Sequence, residues 1–485
     1  MYTQLKNSTE TLKGEKMIKK LLLFFLLCAS FNYMIAGPRL QFDQTALDTY
    51  VHSQDEAYGY HIVKTIPGEG HTSLVIDLIS QTFLTKKDVN RTKWRHWLMV
   101  VIPEEVKHQT AMLIIDGGDN DGKIPEGPSD LSFQYAKATG SVIVELAMVP
   151  NQPLTFFGES EPRWEDALIA YTWDKYLTTG DTRWPARMAM TKSVIAAMDT
   201  VQSLMLELEE PKTISKFVIS GASKRGWTTW TTGAVDDRVE AMVPIVIDLL
   251  NLEPSFEHHW RAYGFWAPAI GDYTDMEIID WWRSEEIRSL FNLVGPFSYK
   301  DRYQMPKLII NAAGDEFFIP TSSQFYFDEL PGEKYLRYVP NANHSLSETD
   351  ALETVLAFYA SILNDIPRPI FSWNFNKDGS ITVTSKTEVK EVKMWSAKNN
   401  ESRDFRKDVI GNSWKVTNLT KTEDSIYRVK PKVPTKGWKA YFVELTYETS
   451  FGIPLKFTTP VRVVPNTLPF EYQPPKISKK GFLSK

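Results

Sequence analysis

Cysteine is all but missing from this 485-residue chain, which has one, Cys28. It falls in the amino-terminal residues 1–36, where MIKKLLLFFLLCAS, starting at Met17, has the layout of a secretory signal: a short basic start, then an apolar run of about ten residues. Cleavage after Ser30 or Ala36 leaves a mature chain without cysteine, which excludes disulfides and cysteine catalysis at an oxidising destination. The expectation is export, to the periplasm or beyond the cell, with an uncleaved anchor as the alternative. Leu27 stands where lipid attachment to Cys28 wants a small residue, so a lipoprotein is not expected. The apolar run is too short to span a bilayer, and no stable membrane span is expected after cleavage.

Positive charge is also scarce. The formal net charge is −5, and the signal segment carries five Lys against two Glu, so its removal takes the chain to −8. With no Lys/Arg tract, a nucleic-acid partner is excluded. No H-E-x-x-H or comparable one-face ligand spacing occurs, and neighbouring His258 and His259 point apart on any regular element, so neither a metal nor another cofactor is expected. No internal repeat is present.

What is there is a globular composition, 42% hydrophobic and 24% charged, in a chain long enough for two domains. Residues 57–104 alternate as β-strands. AMLIIDGG and GSVIVELAMVP then read as buried strands, and MTKSVIAAMDTVQSLMLELEE sets Val194, Met198, Val201, Met205 and Leu208 on one helical stripe. Strands ending near Ser223, Asp248 and Asp315 follow, then His344 and a helix over 348–363. This alternation predicts an α/β domain over 37–368 with a largely parallel sheet. Residues 251–304, crowded with aromatics, read as a cap insertion, and 151–184 as further rim. Short alternating strands over 369–465 predict a β-sandwich, and the Pro/Lys-rich residues 466–485 a flexible tail.

Chemistry enters with FVISGASKRGWTTW. A serine between two glycines, after an apolar strand and before a helix, approaches the G-x-S-x-G turn that exposes a nucleophile, except that Arg225 takes the second glycine's place and Gly226 follows it. A serine needs a histidine to take its proton and a carboxylate to orient that histidine. Ser223, Asp315 and His344 occur in the order Ser, acid, His, each beyond a strand. Asp248 is the alternative acid. In the bland readings Ser223 caps a helix, Asp315 caps a turn and His344 bonds its own loop. An oxyanion hole would use the backbone N–H of Lys224 and that of Gly118 or Asp119 in DGGDND. The Arg225 guanidinium would either reach the oxyanion or a substrate carboxylate, or form a salt bridge to a cap acid.

The strings PNQPLTFFGES, RWEDALIAYTWDKYLTTGDTRWPARMAMTKSVIAAMDTVQ, FVISGASKRGWTTWTTGAVDDRV, LIINAAGDEFF and NANHSL together resemble the PhoPQ-activated pathogenicity-related proteins, a family that also holds an autocrine proliferation repressor protein. The resemblance runs from about Leu47 to Pro465. It implies an exported protein of α/β-hydrolase fold, linked in bacteria to virulence or resistance to antimicrobial peptides, with Ser223, Asp315 and His344 carried over as the triad. The turn around Ser223 is also similar to that of glucuronoyl esterases, which keeps sugar esters open. Two functions compete. One is a serine hydrolase acting on a small-molecule or peptide amide or ester, a peptidase slightly favoured because cap acids Glu253, Glu257, Asp272, Asp275, Glu285 and Glu286 suit cationic peptides. The other is a secreted signalling or binding protein on the same scaffold. The sequence leaves the oligomeric state open.

Overall fold

Parallel strands buried on both faces explain the continuous apolar runs of the chain's first half. The computed structural model describes residues 42–484. The signal expected over residues 1–36, with Cys28, lies outside them. Residues 42–44 carry no helix or strand; residues 45–484 form one compact unit, described from here on.

In chain order the first elements are α1 (Ala46–His52), β1 (Gly59–Gly68), β2 (His71–Thr82), β3 (Lys93–Pro103), β4 (Thr110–Ile115), α2 (Asp130–Thr139) and β5 (Ile143–Leu146). Next come α3 (Glu165–Thr179), α4 (Ala186–Glu207), β6 (Lys216–Ala222), α5 (Lys224–Val235) and β7 (Val239–Ile245). Among the described residues a nine-stranded sheet takes the order β1-β2-β3-β5-β4-β6-β7, continued by β8 (Lys307–Ala312) and β9 (Lys334–Val339). β1 to β3 pair antiparallel, β3 meets β5 antiparallel, and every pair from β5 to β9 is parallel. The exchanged places of β4 and β5, with an antiparallel neighbour, are the strand order of an α/β-hydrolase sheet, here extended by β1.

Between β7 and β8 the chain is helical: α6 (Leu252–Tyr263), α7 (Gly271–Asp275) and α8 (Glu285–Val294), with short 3₁₀ turns. Trp227 of α5 donates its indole N–H to the Val294 carbonyl at 2.7 Å, tying this segment to the helix that follows β6. α9 (Ala351–Leu363) begins three residues later than expected, because residues 345–350 form turns. α4 also differs from its one-stripe prediction. It is buried on nearly every side as far as Met205, since β2 and β3 cover one face and α1, α3 and α5 the others, while Leu208 falls just past its end.

The C-terminal strands are β10 (Phe371–Phe375), β11 (Ile381–Ser385), β12 (Glu391–Asn399), then α10 (Lys407–Ile410), β13 (Lys415–Asn418), β14 (Ile426–Val429), β15 (Trp438–Tyr447), β16 (Leu455–Thr458) and β17 (Arg462–Val464). They make two antiparallel sheets, β10-β11-β14 and β13-β12-β15-β16 with β17 on β15. Ile381 and Val383 of one share a core with Tyr441, Val443 and Phe457 of the other, and that core continues into Ile310 and Phe358 of the larger layer.

Residues 466–484 carry no helix or strand, yet the expectation of a loose tail fails. Phe470 N–H donates to the Arg261 carbonyl, Lys479 pairs with Asp174 at 2.8 Å, and Phe482 N–H donates to the Leu177 carbonyl, with its ring edge-on to Tyr176. Single aromatic anchors hold a segment whose composition reads as unstructured.

Candidate functional site

Ser223 follows β6 at φ +58° and ψ −122°, a conformation a side-chain-bearing residue adopts only when its surroundings impose it. The surroundings are a turn so tight that a Cβ on Gly221 would sit 2.6 Å from the Arg225 carbonyl oxygen, and one on Gly226 2.9 Å from the Ile245 carbonyl oxygen. The displaced glycine thus has a reason: Gly221 makes room for the body of Arg225, and Gly226 for the strand. Lys224 opens α5, so its N–H belongs to the first turn, where helical partners are lacking and the helix dipole is positive.

Asp315 and His344 lie just beyond β8 and β9. Asp315 is 3% exposed; one carboxylate oxygen accepts the backbone N–H groups of Phe317 (2.8 Å) and Phe318 (3.2 Å), and the other binds His344 Nδ1 at 2.8 Å. Glu316 accepts the His344 backbone N–H at 2.8 Å. Phe317 and Phe318 flank the imidazole, with ring centroids 4.4 and 5.9 Å away. The other ring nitrogen, Nε2, is covered and has no hydrogen-bond partner among the described residues. Ser223, Phe317 and Phe318 line one cavity of about 40 Å³, closed above by Leu252, Phe256 and Trp282 from the segment after β7.

Asp248 ends up elsewhere. It is 2% exposed, accepts the Tyr326 hydroxyl at 2.6 Å and the Tyr338 hydroxyl at 2.5 Å, and makes no bond to His344. Burial pushes its carboxyl up to about 7, against the two hydroxyls and with help from the Asp315 charge. The structure brings Asp315, not Asp248, to the imidazole.

Arg225 takes the ion-pair alternative, with an acid of the 151–184 segment and not of the cap. Its Nε donates to the Val149 carbonyl at 2.5 Å, and Nη1 and Nη2 reach Glu165 at 2.8 and 2.6 Å. The guanidinium lies against Gly117, which carries no side chain to exclude it. It therefore braces the turn after β4 from beneath, and the expected reach over the oxyanion is not what the geometry displays. Lys224 Nζ pairs with Glu165 and Asp166 at 2.8 and 2.9 Å. Burial raises the Glu165 carboxyl, but the Arg225 hydrogen bond and the two cationic charges prevail and bring it down to about 2.

The two other expected donors sit on the turn after β4. Gly118, at φ +123°, is exposed and Asp119 half-buried, and Gln152 donates to the Gly118 carbonyl at 3.1 Å. None of the six cap acids lines the cavity; Glu257 pairs with Arg283, and buried Glu286 accepts the Leu483 N–H. Sequence reasoning missed Glu165, Asp166 and Arg187, the polar side of the site. Glu165 and Asp166 start α3 in RWEDALIAY, where they read as ordinary first-turn acids.

Autocrine proliferation repressor protein A of Dictyostelium discoideum is 38% identical over 460 residues, 88% of this chain and 92% of that protein. Among solved structures, the acetyl xylan esterase from Paenibacillus sp. R4 is 14% identical, covers 67% of this chain and 96% of its own, and superposes with a TM-score of 0.47. A glucuronoyl esterase from Solibacter usitatus is 13% identical over 65% of this chain and 90% of its own, with a TM-score of 0.38. The PhoPQ-activated pathogenicity-related protein model matches residues 47–406, and with that match and the 38% identical relative the chain belongs to this family.

Proposed function

We propose that the protein is an exported serine hydrolase that cleaves an amide or ester through an acyl-enzyme. The observation that carries the reading is His344, held through Nδ1 by buried Asp315 and left with an Nε2 unpartnered among the described residues, packed against Phe317 and Phe318, which line one cavity with the strained Ser223. In this mechanism Ser223 Oγ attacks the scissile carbonyl carbon while His344 Nε2 takes its proton, and Asp315 stabilises the imidazolium. The tetrahedral oxyanion accepts the N–H of Lys224 and that of Gly118 or Asp119. His344 returns the proton to the leaving amine or alcohol as the carbon–leaving-group bond breaks, and water, activated by the same nitrogen, releases the acid. The peptidase preference loses its main support, because the cap acids lie off the cavity. Labelling by a fluorophosphonate probe tests the proposal: wild type is expected to label, and Ser223→Ala and His344→Ala to label at least about a hundredfold more slowly. Equal labelling of wild type and Ser223→Ala overturns it.

A second reading is favoured by one finding, the name of the D. discoideum relative: a secreted proliferation signal that keeps the scaffold without using its chemistry. Under it, wild type and Ser223→Ala are equally unreactive and equally active on cells.

A further inference from the structure

Three charged side chains line the cavity beside Ser223: Asp166, Lys224 and Arg187. Two of them neutralise each other, Lys224 Nζ lying 2.9 Å from Asp166, whose second oxygen accepts the Tyr273 hydroxyl at 2.9 Å. Arg187 is different. It is 3% exposed, no carboxylate among the described residues lies within ion-pair distance, and its hydrogen bonds are long: Nη1 to the Lys224 carbonyl at 3.5 Å and Nη2 to the Tyr273 hydroxyl at 3.4 Å. Its Nε is buried and has no partner among those residues. The guanidinium carbon sits 3.8 Å from the Trp227 ring centre and 5.5 Å from that of Trp173, so aromatic faces supply part of what water no longer does.

Glu165 and Asp166 are taken up at ion-pair distance by Lys224 and Arg225, so Asp166 acts on Arg187 only from further off. Asp272, on α7, faces Asp166 from the cap and is exposed to water. A buried guanidinium that keeps its charge without a counter-ion is unfavourable in a finished fold, and a ligand anion removes that penalty. The long Nη contacts are weak enough to be exchanged for a carboxylate, which arginine grips through two parallel hydrogen bonds.

We propose that Arg187 is a specificity-determining residue that docks a small carboxylate-bearing group of the substrate in this cavity, beside the carbonyl that Ser223 attacks. The inference rests on the serine-hydrolase reading for its place in catalysis, but its binding step can be measured without turnover. The cavity is small and mostly apolar. Trp173 and Trp227 form its apolar sides, and the substrates this favours are esters or amides of short dicarboxylic acids.

The experiment is calorimetric titration of full-length Ser223→Ala with glutarate and, separately, with its neutral isostere glutaramide. Glutarate is expected to bind at least about tenfold more tightly. In the same background Arg187→Met is expected to abolish that difference, and Arg187→Lys, which keeps the charge and loses the fork, to reduce it at least about threefold. Far- and near-ultraviolet circular dichroism establishes that each variant is folded, and Arg187→Lys decides the matter should Arg187→Met not fold. Equal binding of the two probes, no binding of glutarate up to about 10 mM, or an unchanged preference in the Arg187 variants overturns the proposal. Failure of the hydrolase reading shows separately, as absent Ser223-dependent fluorophosphonate labelling, and leaves this titration unaffected.

Discussion

At Asp248, burial and hydrogen bonding pull the carboxyl in opposite directions, and burial wins, raising it to about 7 despite the hydroxyls of Tyr326 and Tyr338. In the unfolded chain the group returns to its ordinary value near 3.8. Between those values the folded state holds a proton that the unfolded state has released, so this residue makes stability fall as pH rises from about 4 to about 7 and level off above. Asp248→Asn removes the titration while leaving a group that meets both hydroxyls. Urea unfolding at pH 4.5 and pH 8 is expected to show the variant gaining on wild type at the higher pH, by no more than about 4 kcal/mol for a shift of this size. A difference independent of pH would contradict the assignment. The same scale shows what a single sequence can disclose. Ser223, Asp315 and His344 stand out because chain order, strand ends and residue type coincide. Glu165 and Arg187 do not, since a first-turn acid and an arginine inside an apolar helix acquire meaning only from what faces them across the fold.

Among the elements, periodicity identified β4, β5, α4 and the helix after His344, and failed where an element is covered from all sides or held by isolated anchors. α4 carries Arg187, Thr191, Lys192 and Ser193 in a buried environment, because each finds a backbone, hydroxyl or aromatic partner, and such polar residues blur the stripe that a half-exposed helix would display. Residues 470–484 show the other failure. Phe470, Tyr472 and Phe482 follow no period, yet Phe482 and Lys479 dock on α3 while Tyr472 meets Trp266 and Arg283 of the segment over the cavity. This strap joins the two insertions that enclose the site. Deleting residues 470–485 is therefore expected to open the 251–304 segment to limited trypsin digestion, with cleavage mapped there by mass spectrometry while the β-sheet core stays resistant. An unchanged digestion pattern would show that the strap restrains nothing.

Across the whole molecule, the C-terminal segment around α10 and Trp414 reaches the loops that carry Asp315 and His344. Gly314, next to Asp315, donates to the Ala342 carbonyl at 3.1 Å and accepts the Lys407 N–H at 2.9 Å, so the acid loop, the histidine loop and α10 share one chain of backbone bonds. Asn341 completes the link: its amide donates to the Trp414 carbonyl at 3.1 Å and accepts the Trp414 N–H at 2.9 Å, while the Trp414 ring packs 5.2 Å from Phe442 of β15. The segment from α10 to the start of β13 thus holds the loop carrying His344. Asn341→Gly separates this role from backbone strain, because glycine accepts the φ of +56° found at this position and lacks only the paired amide. Each bond lost from such a pair costs about 1–3 kcal/mol, enough to let the histidine loop drift by a fraction of an ångström, which the proposed proton transfer would not tolerate. The fluorophosphonate labelling rate of Asn341→Gly is expected to fall about tenfold or more, with the far-ultraviolet circular dichroism spectrum unchanged. A folded Asn341→Gly that labels at the wild-type rate would mean that the C-terminal segment is attached to the α/β layer without positioning His344.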